Sequence, residues 1–376
     1  MTLFSRYGIM TIVTQMNLYK RRYIQLKKAL NIFFIDGLNG MAQGLFSTLI
    51  IGTILSQIGL LIPGTIGSLL YTIGKISASL TGAGIGVGVA RKLGADHLVI
   101  ASSATVGIIG AFAHFVTSGS IISSGTITLS GPGEPLGAFL ASFIAVEIAM
   151  LVSGKSKIDI LLTPITCILS GTVAGLILGP PISRFMHWIG SLINWGTEQQ
   201  PFIMGIVVAV IMGMALTLPI SSAALAIILD LSGLAAGAAT IGCCCNMVGF
   251  AVASYRENKF GGLIAQGLGT SMLQISNIVR KPVIWLPAIL SSAILGPVGT
   301  LLLKMTNNAT GAGMGTSGLI GQIMTFQTMS SYEDPVLVVI KIFLIQIILP
   351  ACLTLGIAEA MRKLRWIKQG DMRLEV

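Results

Sequence analysis

Long apolar stretches recur along this 376-residue chain from about residue 42 to the C-terminal region. Each runs to roughly 17–25 residues, the length with which an α-helix crosses a hydrocarbon layer about 30 Å thick. A chain with that pattern cannot hide its apolar surface around one soluble core. The stretches are continuously apolar rather than alternating, which disfavours a β-barrel. Helices remain as the way to satisfy backbone groups in lipid. Charged residues make up 10% of the chain, against about 25% in soluble domains. The 46 glycines suit helices that approach one another closely in a membrane. The expected fold class is an all-α polytopic membrane protein.

The punctuation between apolar runs predicts ten transmembrane helices, near 42–62, 66–90, 97–117, 135–153, 160–182, 201–218, 223–254, 260–278, 283–303 and 335–361. The stretch 223–254 is long for one crossing, and a break is expected around Asp230, Ser232 and Gly233. Alternation from a basic cytoplasmic N-terminus puts Arg91, Lys92, Lys155, Lys157, Arg280, Lys281 and the Arg362, Lys363, Arg365, Lys368 tail inside, as the positive-inside rule requires. Both termini are then cytoplasmic, and the turn holding Arg256, Glu257 and Lys259 lies outside.

The same rule explains the net charge of +10, because the basic residues sit at span ends and in short loops; nucleic acid is not an expected partner. The first 30 residues carry six basic groups, Arg6, Lys20, Arg21, Arg22, Lys27 and Lys28, without the short apolar core of a cleavable signal peptide. Cys167, Cys243, Cys244, Cys245 and Cys352 lie in apolar surroundings with no metal-ligand spacing, and they read as packing residues. No metal or cofactor is expected.

Two segments are neither good spans nor ordinary loops: 118–136 and 306–328, rich in Gly, Ser and Thr yet dotted with Ile and Leu. Both are predicted to be re-entrant, with irregular backbone held at membrane depth against protein or a polar cavity. A surface loop is the plainer alternative for such a composition. Three ionisable residues fall within spans, Lys75, Glu147 and Asp230, at a cost of about 2.5–3.5 kcal/mol each. Lys75 and Glu147 have matching depth and opposite charge, so they are expected to pair, structurally or in coupling. Asp230 suits either a helix break or a cap.

Glu134, between two prolines in GPGEPLG, is the leading candidate ligand for a hydroxyl-rich solute, since a carboxylate accepts several hydrogen bonds with fixed geometry. The second Gly-rich segment adds Asn307, Asn308, Thr310, Thr316, Ser317 and Gln322 around Gly313 and Gly315. Glycine there would let backbone groups face the solute. No phosphate loop, nucleophile elbow or zinc motif is present, and the Gly82–Gly88 run is a small-residue helix face rather than a dinucleotide site.

Taken together, FIDGLNGMAQGLFSTLIIGTI, TGAGIGVGVARKLGAD, GPGEPLGAF, LTLPISSAALA and GAGMGTSGLIGQ resemble the membrane-embedded enzyme IIC-type family of the sugar phosphotransferase system, in the subgroup that includes perfringolysin-regulator-like proteins. The resemblance covers roughly residues 30–362. It implies an EIIC-like transport domain over 36–361, flanked by a basic cytoplasmic segment at 1–35 and a tail at 362–376. It also implies a homodimer in a bacterial-type cytoplasmic membrane, two re-entrant hairpins and elevator-like movement of a sugar or sugar derivative. Glu134 would match a hairpin carboxylate that contacts sugar hydroxyls, although this chain has GPGEP where better-known members carry Gly-Ile-x-Glu. No phosphoryl-passing domain is present, so the protein is not expected to be an enzyme; phosphorylation would come from separate cytosolic proteins. The competing expectation is a membrane-bound ligand-sensing regulator with little or no transport.

Overall fold

The computed structural model describes residues 28–374, apart from 124 and 130; the basic residues of 1–27 lie outside the described part. The helices, in chain order, begin with α1 (Lys28–Leu60), α2 (Thr65–Ser79) and α3 (Thr81–Lys92), the last two bent by 53° against each other. α4 (His97–Ala111) and α5 (Pro135–Met150) are short and apolar, whereas α6 (Asp159–Thr197) runs for 39 residues. Next come α7 (Pro201–Thr217), α8 (Ser222–Ile228) and α9 (Gly233–Ala253). α10 (Tyr255–Ile264) and α11 (Ile275–Arg280) precede α12 (Pro282–Leu302), α13 (Ile320–Met329) and α14 (Pro335–Lys363). Five of these, α1, α6, α9, α12 and α14, are long and apolar enough to cross a membrane, and the bent α2–α3 pair makes a sixth if it crosses as one span. The chain is therefore a multi-pass, all-α membrane protein, with fewer long helices than the ten crossings expected from hydropathy.

The difference has identifiable causes. Within 223–254 the chain breaks between α8 and α9, with Asp230 at φ 46° and Gly233 at φ 57°, at the residues where a break was expected. The stretch 260–278 is not one helix either: α10 gives way to irregular turns, Thr270 is extended, and a 3-10 turn at Ser271–Gln274 leads into α11. Its polar residues pair internally, Gln266 accepting from Gln274 at 2.8 Å and Gln274 from Asn277 at 2.8 Å. Average hydropathy over that window hides three buried amides.

Contacts also correct the sidedness of one loop. Arg256 lies 3.3 Å from Glu359 near the end of α14, and Arg362 donates to the carbonyl of Ala253 at 2.7 Å. The Arg256–Lys259 turn therefore shares one end of the molecule with the C-terminal tail, not the opposite end. Asn258 in α10 and Asn277 in α11 both donate to the tail, at the carbonyls of Met372 and Arg373. This segment starts and finishes at the same end. Counting it as a crossing had inverted the alternation, and with the correction the basic Arg256 and Lys259 join Lys281 and Arg362.

Small residues set the closest helix approaches. In α3, Gly82 and Gly86 lie against the carbonyls of Gly107 and Ser103 on α4, whereas Gly84 and Gly88 lie against those of Gly44 and Gly40 on α1. The Gly-x-Gly repeat thus serves two neighbours, since residues two apart on a helix point in different directions. The three adjacent cysteines of α9 are fully buried and free, as packing residues should be.

At the C-terminal end of α14, Trp366 donates to the carbonyl of Met361 and Arg365 to that of Arg362. This is a Schellman turn whose left-handed position, normally glycine, is occupied by Arg365 at φ 61°, at a cost of about 1 kcal/mol.

Candidate functional site

Glu134 sits at the N-terminus of α5, ahead of Pro135 at the first helical position, where proline's fixed φ and missing N–H are no handicap. Its backbone N–H donates to the carbonyl of Ala111 at 2.8 Å, tying the start of α5 to the end of α4. The backbone amides of Leu136 and Ser221 lie beside its carboxylate. One oxygen, Oε1, is buried without a hydrogen-bond partner. The preceding residues form a two-stranded hairpin, β1 (Ile122–Ser123) paired with an exposed β2 (Thr126–Ile127). Ile121, Leu129 and the GPGEP end of the 118–136 segment pack back against the helices.

Ser221 lies just past α7, and the adjacent Ser222 donates to the carbonyl of Gly313 at 2.7 Å. Residues 218–222 thus join the two Gly-rich segments that sequence reasoning singled out separately. They occur within the LTLPISSAALA motif, yet contain no charge and little polarity to mark them as site residues. Gly313 packs on the backbone of Ser222 and Gly315 on Cys243, so side chains there would collide with backbone. Gly313 and Gly315 are packing positions in this structure rather than open ones.

The second segment divides by role. The Asn307 amide donates to Thr240, to the carbonyl of Gly321 and to Thr325, and its oxygen accepts from the amide of Asn308. Its polar atoms are occupied by the fold. Asn308 caps a short helix by accepting from the amide of Gly311 at 3.1 Å. Thr316 donates to the carbonyl of Gly267 at 2.5 Å, and Thr310 is exposed. Ser317 and Gln322 differ: the Ser317 hydroxyl and the Gln322 Oε1 are buried without partners. The Gln322 amide nitrogen is held by the Gln346 oxygen at 3.0 Å.

The intramembrane charges do not meet. Lys75 is exposed, with its ammonium 5.3 Å from the centre of the Tyr71 ring, and no ion pair joins it to Glu147 among the described residues. α2 packs chiefly on α1, which carries Lys75 away from α5. Asp230 is exposed at the α8–α9 break.

A family model described as phosphotransferase system, EIIC, matches residues 35–374. The chain belongs to the EIIC family of the phosphotransferase system. This EIIC protein is accordingly a membrane component of sugar transport, of the kind that works with cytosolic IIA and IIB proteins and is not catalytic by itself. The family gives no support to the regulator alternative. No curated protein and no solved structure matched the chain.

Proposed function

We propose that this EIIC protein carries a sugar or sugar derivative bound at the junction of Glu134 and residues 218–222, with Ser317 and Gln322 as further contacts. The observation that carries the reading is the Glu134 carboxylate, set beside two backbone amides with Oε1 buried and left unpartnered. A buried acceptor without a donor costs roughly 1–3 kcal/mol, and a solute hydroxyl supplies the missing donor. Ser317 and the Gln322 carbonyl offer two further buried acceptors of the same kind.

Helix directions support a site at membrane depth. α7 and α9 run parallel, since Ala209 faces Gly242, the Met212 carbonyl faces Cys243 and Thr217 meets Asn246 at 3.1 Å. Residues 218–232 must therefore double back before α9 starts. α4 and α5 are antiparallel, with Gly110 against Gly137. In our reading α4–α5 reach inward from the cytoplasmic side and α7–α8 from the outer side, and their tips touch at Glu134 and Ser221. The six long spans then leave both termini in the cytoplasm. Alternating access comes from an elevator-like displacement of this tip region within a homodimer. Helix breaks at depth are where carriers place their sites.

The test is a thermal-stabilisation screen of the purified protein against hexoses, disaccharides, sugar acids, polyols and nucleosides. A saturable rise in melting temperature with one sugar class is expected. A response confined to nucleosides, or to none of the panel, overturns the reading.

A further inference from the structure

At the end of the molecule that holds the C-terminal tail, a cavity of about 500 Å³ is lined by Arg256, Glu257, Arg362, Arg365, Lys368 and Gln369. None of its lining residues belongs to the proposed sugar site. Two of its cations have local explanations. Glu359 lies 3.3 Å from Arg256 and 2.6 Å from Arg362, and the last turn of α14 favours a positive side chain in any case.

Those explanations do not extend to Arg365 and Lys368, which have no ion-pair partner among the described residues. Asp371, the nearest acidic residue in sequence, is engaged by Lys281 at 2.5 Å and by the Lys368 backbone. Arg365 also occupies the left-handed position of the Schellman turn, where glycine would relieve strain. A strained residue that places an unpaired guanidinium on a cavity wall invites a ligand. Four cations lining the space against the carboxylates of Glu257 and Glu359 leave an excess of positive charge. The rigid fork of arginine matches phosphate oxygens in pairs.

We infer that this cavity is a binding site for a phosphate group, held by Arg365 and Lys368 with Arg256 at the rim. The phosphate can come from an anionic lipid headgroup or from a soluble phosphate ester. Trp366 and Leu364, 56% and 63% exposed beside the cavity, place it at the level of an interfacial aromatic belt, which a headgroup would reach.

The experiment uses the full chain in phosphatidylcholine nanodiscs, titrated with inorganic phosphate against sodium chloride at matched ionic strength. A second arm replaces part of the lipid with phosphatidylglycerol and adds no phosphate. A saturable rise in melting temperature is expected in at least one arm: phosphate alone identifies a soluble ester, phosphatidylglycerol alone a headgroup. The Arg365→Gly, Lys368→Gln double variant should require at least about tenfold more phosphate or anionic lipid for the same rise, while Arg91→Gln in the last turn of α3 leaves the response intact. Glycine is the favoured residue at position 365, so the variant keeps its fold. No rise in either arm, a rise that chloride reproduces, or an undiminished response in the double variant overturns the inference.

Discussion

The carboxylate of Glu134 lies beside the backbone amide of Ser221, so the first residue before α5 touches the chain just beyond α7. An alternation of full crossings would hold these two residues at opposite membrane faces. α4, α5 and α7 have 15, 16 and 17 residues, or about 23–26 Å at 1.5 Å per residue, short of a full hydrocarbon core. Tips of such helices can meet inside the layer.

Glu134→Gln keeps the shape of the side chain but exchanges an acceptor for a donor at the same place. Calorimetry with the sugar found in the stabilisation screen should show affinity reduced about 10-fold to 100-fold, the range of a charged-group hydrogen bond of roughly 1.5–3 kcal/mol. Unaltered affinity would remove Glu134 from the site.

The second Gly-rich segment separates binding from folding. Asn307→Ala should lower stability by about 1–3 kcal/mol, because Thr240 and Thr325 lose a buried partner. Thr310→Ala, at an exposed position, should stay within about 0.5 kcal/mol of wild type. Denaturation of both variants by a common protocol checks the contrast.

Lys75→Ala and Glu147→Ala should have additive effects on thermal stability, since sites without a shared partner combine independently. A coupling above about 0.5 kcal/mol in the double variant would restore the pairing that the charges suggest.

In a background without native cysteines, Lys259→Cys and Lys368→Cys should react with an impermeant thiol reagent from the same side of the membrane. The Arg256–Glu359 contact requires it. Labelling from opposite sides would break the assignment of both ends of α10–α11 to one face.

Gly86→Ala should destabilise by about 1–3 kcal/mol, because a Cβ there would fall 2.0 Å from the carbonyl oxygen of Ser103. Gly356→Ala, with nothing within 4 Å of the added carbon, should instead be neutral or gain up to about 1 kcal/mol from helix propensity.

The long spans were legible because continuous hydrophobicity is a local signal, and α6, α9, α12 and α14 need nothing else. The small-residue face of α3 was readable for the same reason, although which glycine met which neighbour was not. Asp230 and Gly233 announced their break by residue type. The segment around Gln266, Gln274 and Asn277 misled because its polar groups satisfy one another, a pairing that single-residue hydropathy cannot represent. Glu134 stood out as a carboxylate between prolines, whereas Ser221 approaches it through a main-chain amide that any residue supplies. Lys75 and Glu147 matched in depth, but depth says nothing about the direction around a helix axis.

The tail that folds back over α10 and α11 is held mainly through its own main chain: Asn258 and Gln274 read the carbonyl of Met372, Asn277 that of Arg373, and Asn258 also takes the amide of Leu374. Recognition of this kind is blind to side-chain spelling. Within Asp371–Leu374 the exposed Arg373 can be replaced without loosening the latch, whereas cutting the chain before Met372 would strand three amide side chains at once. Length, rather than wording, is what the closure inspects.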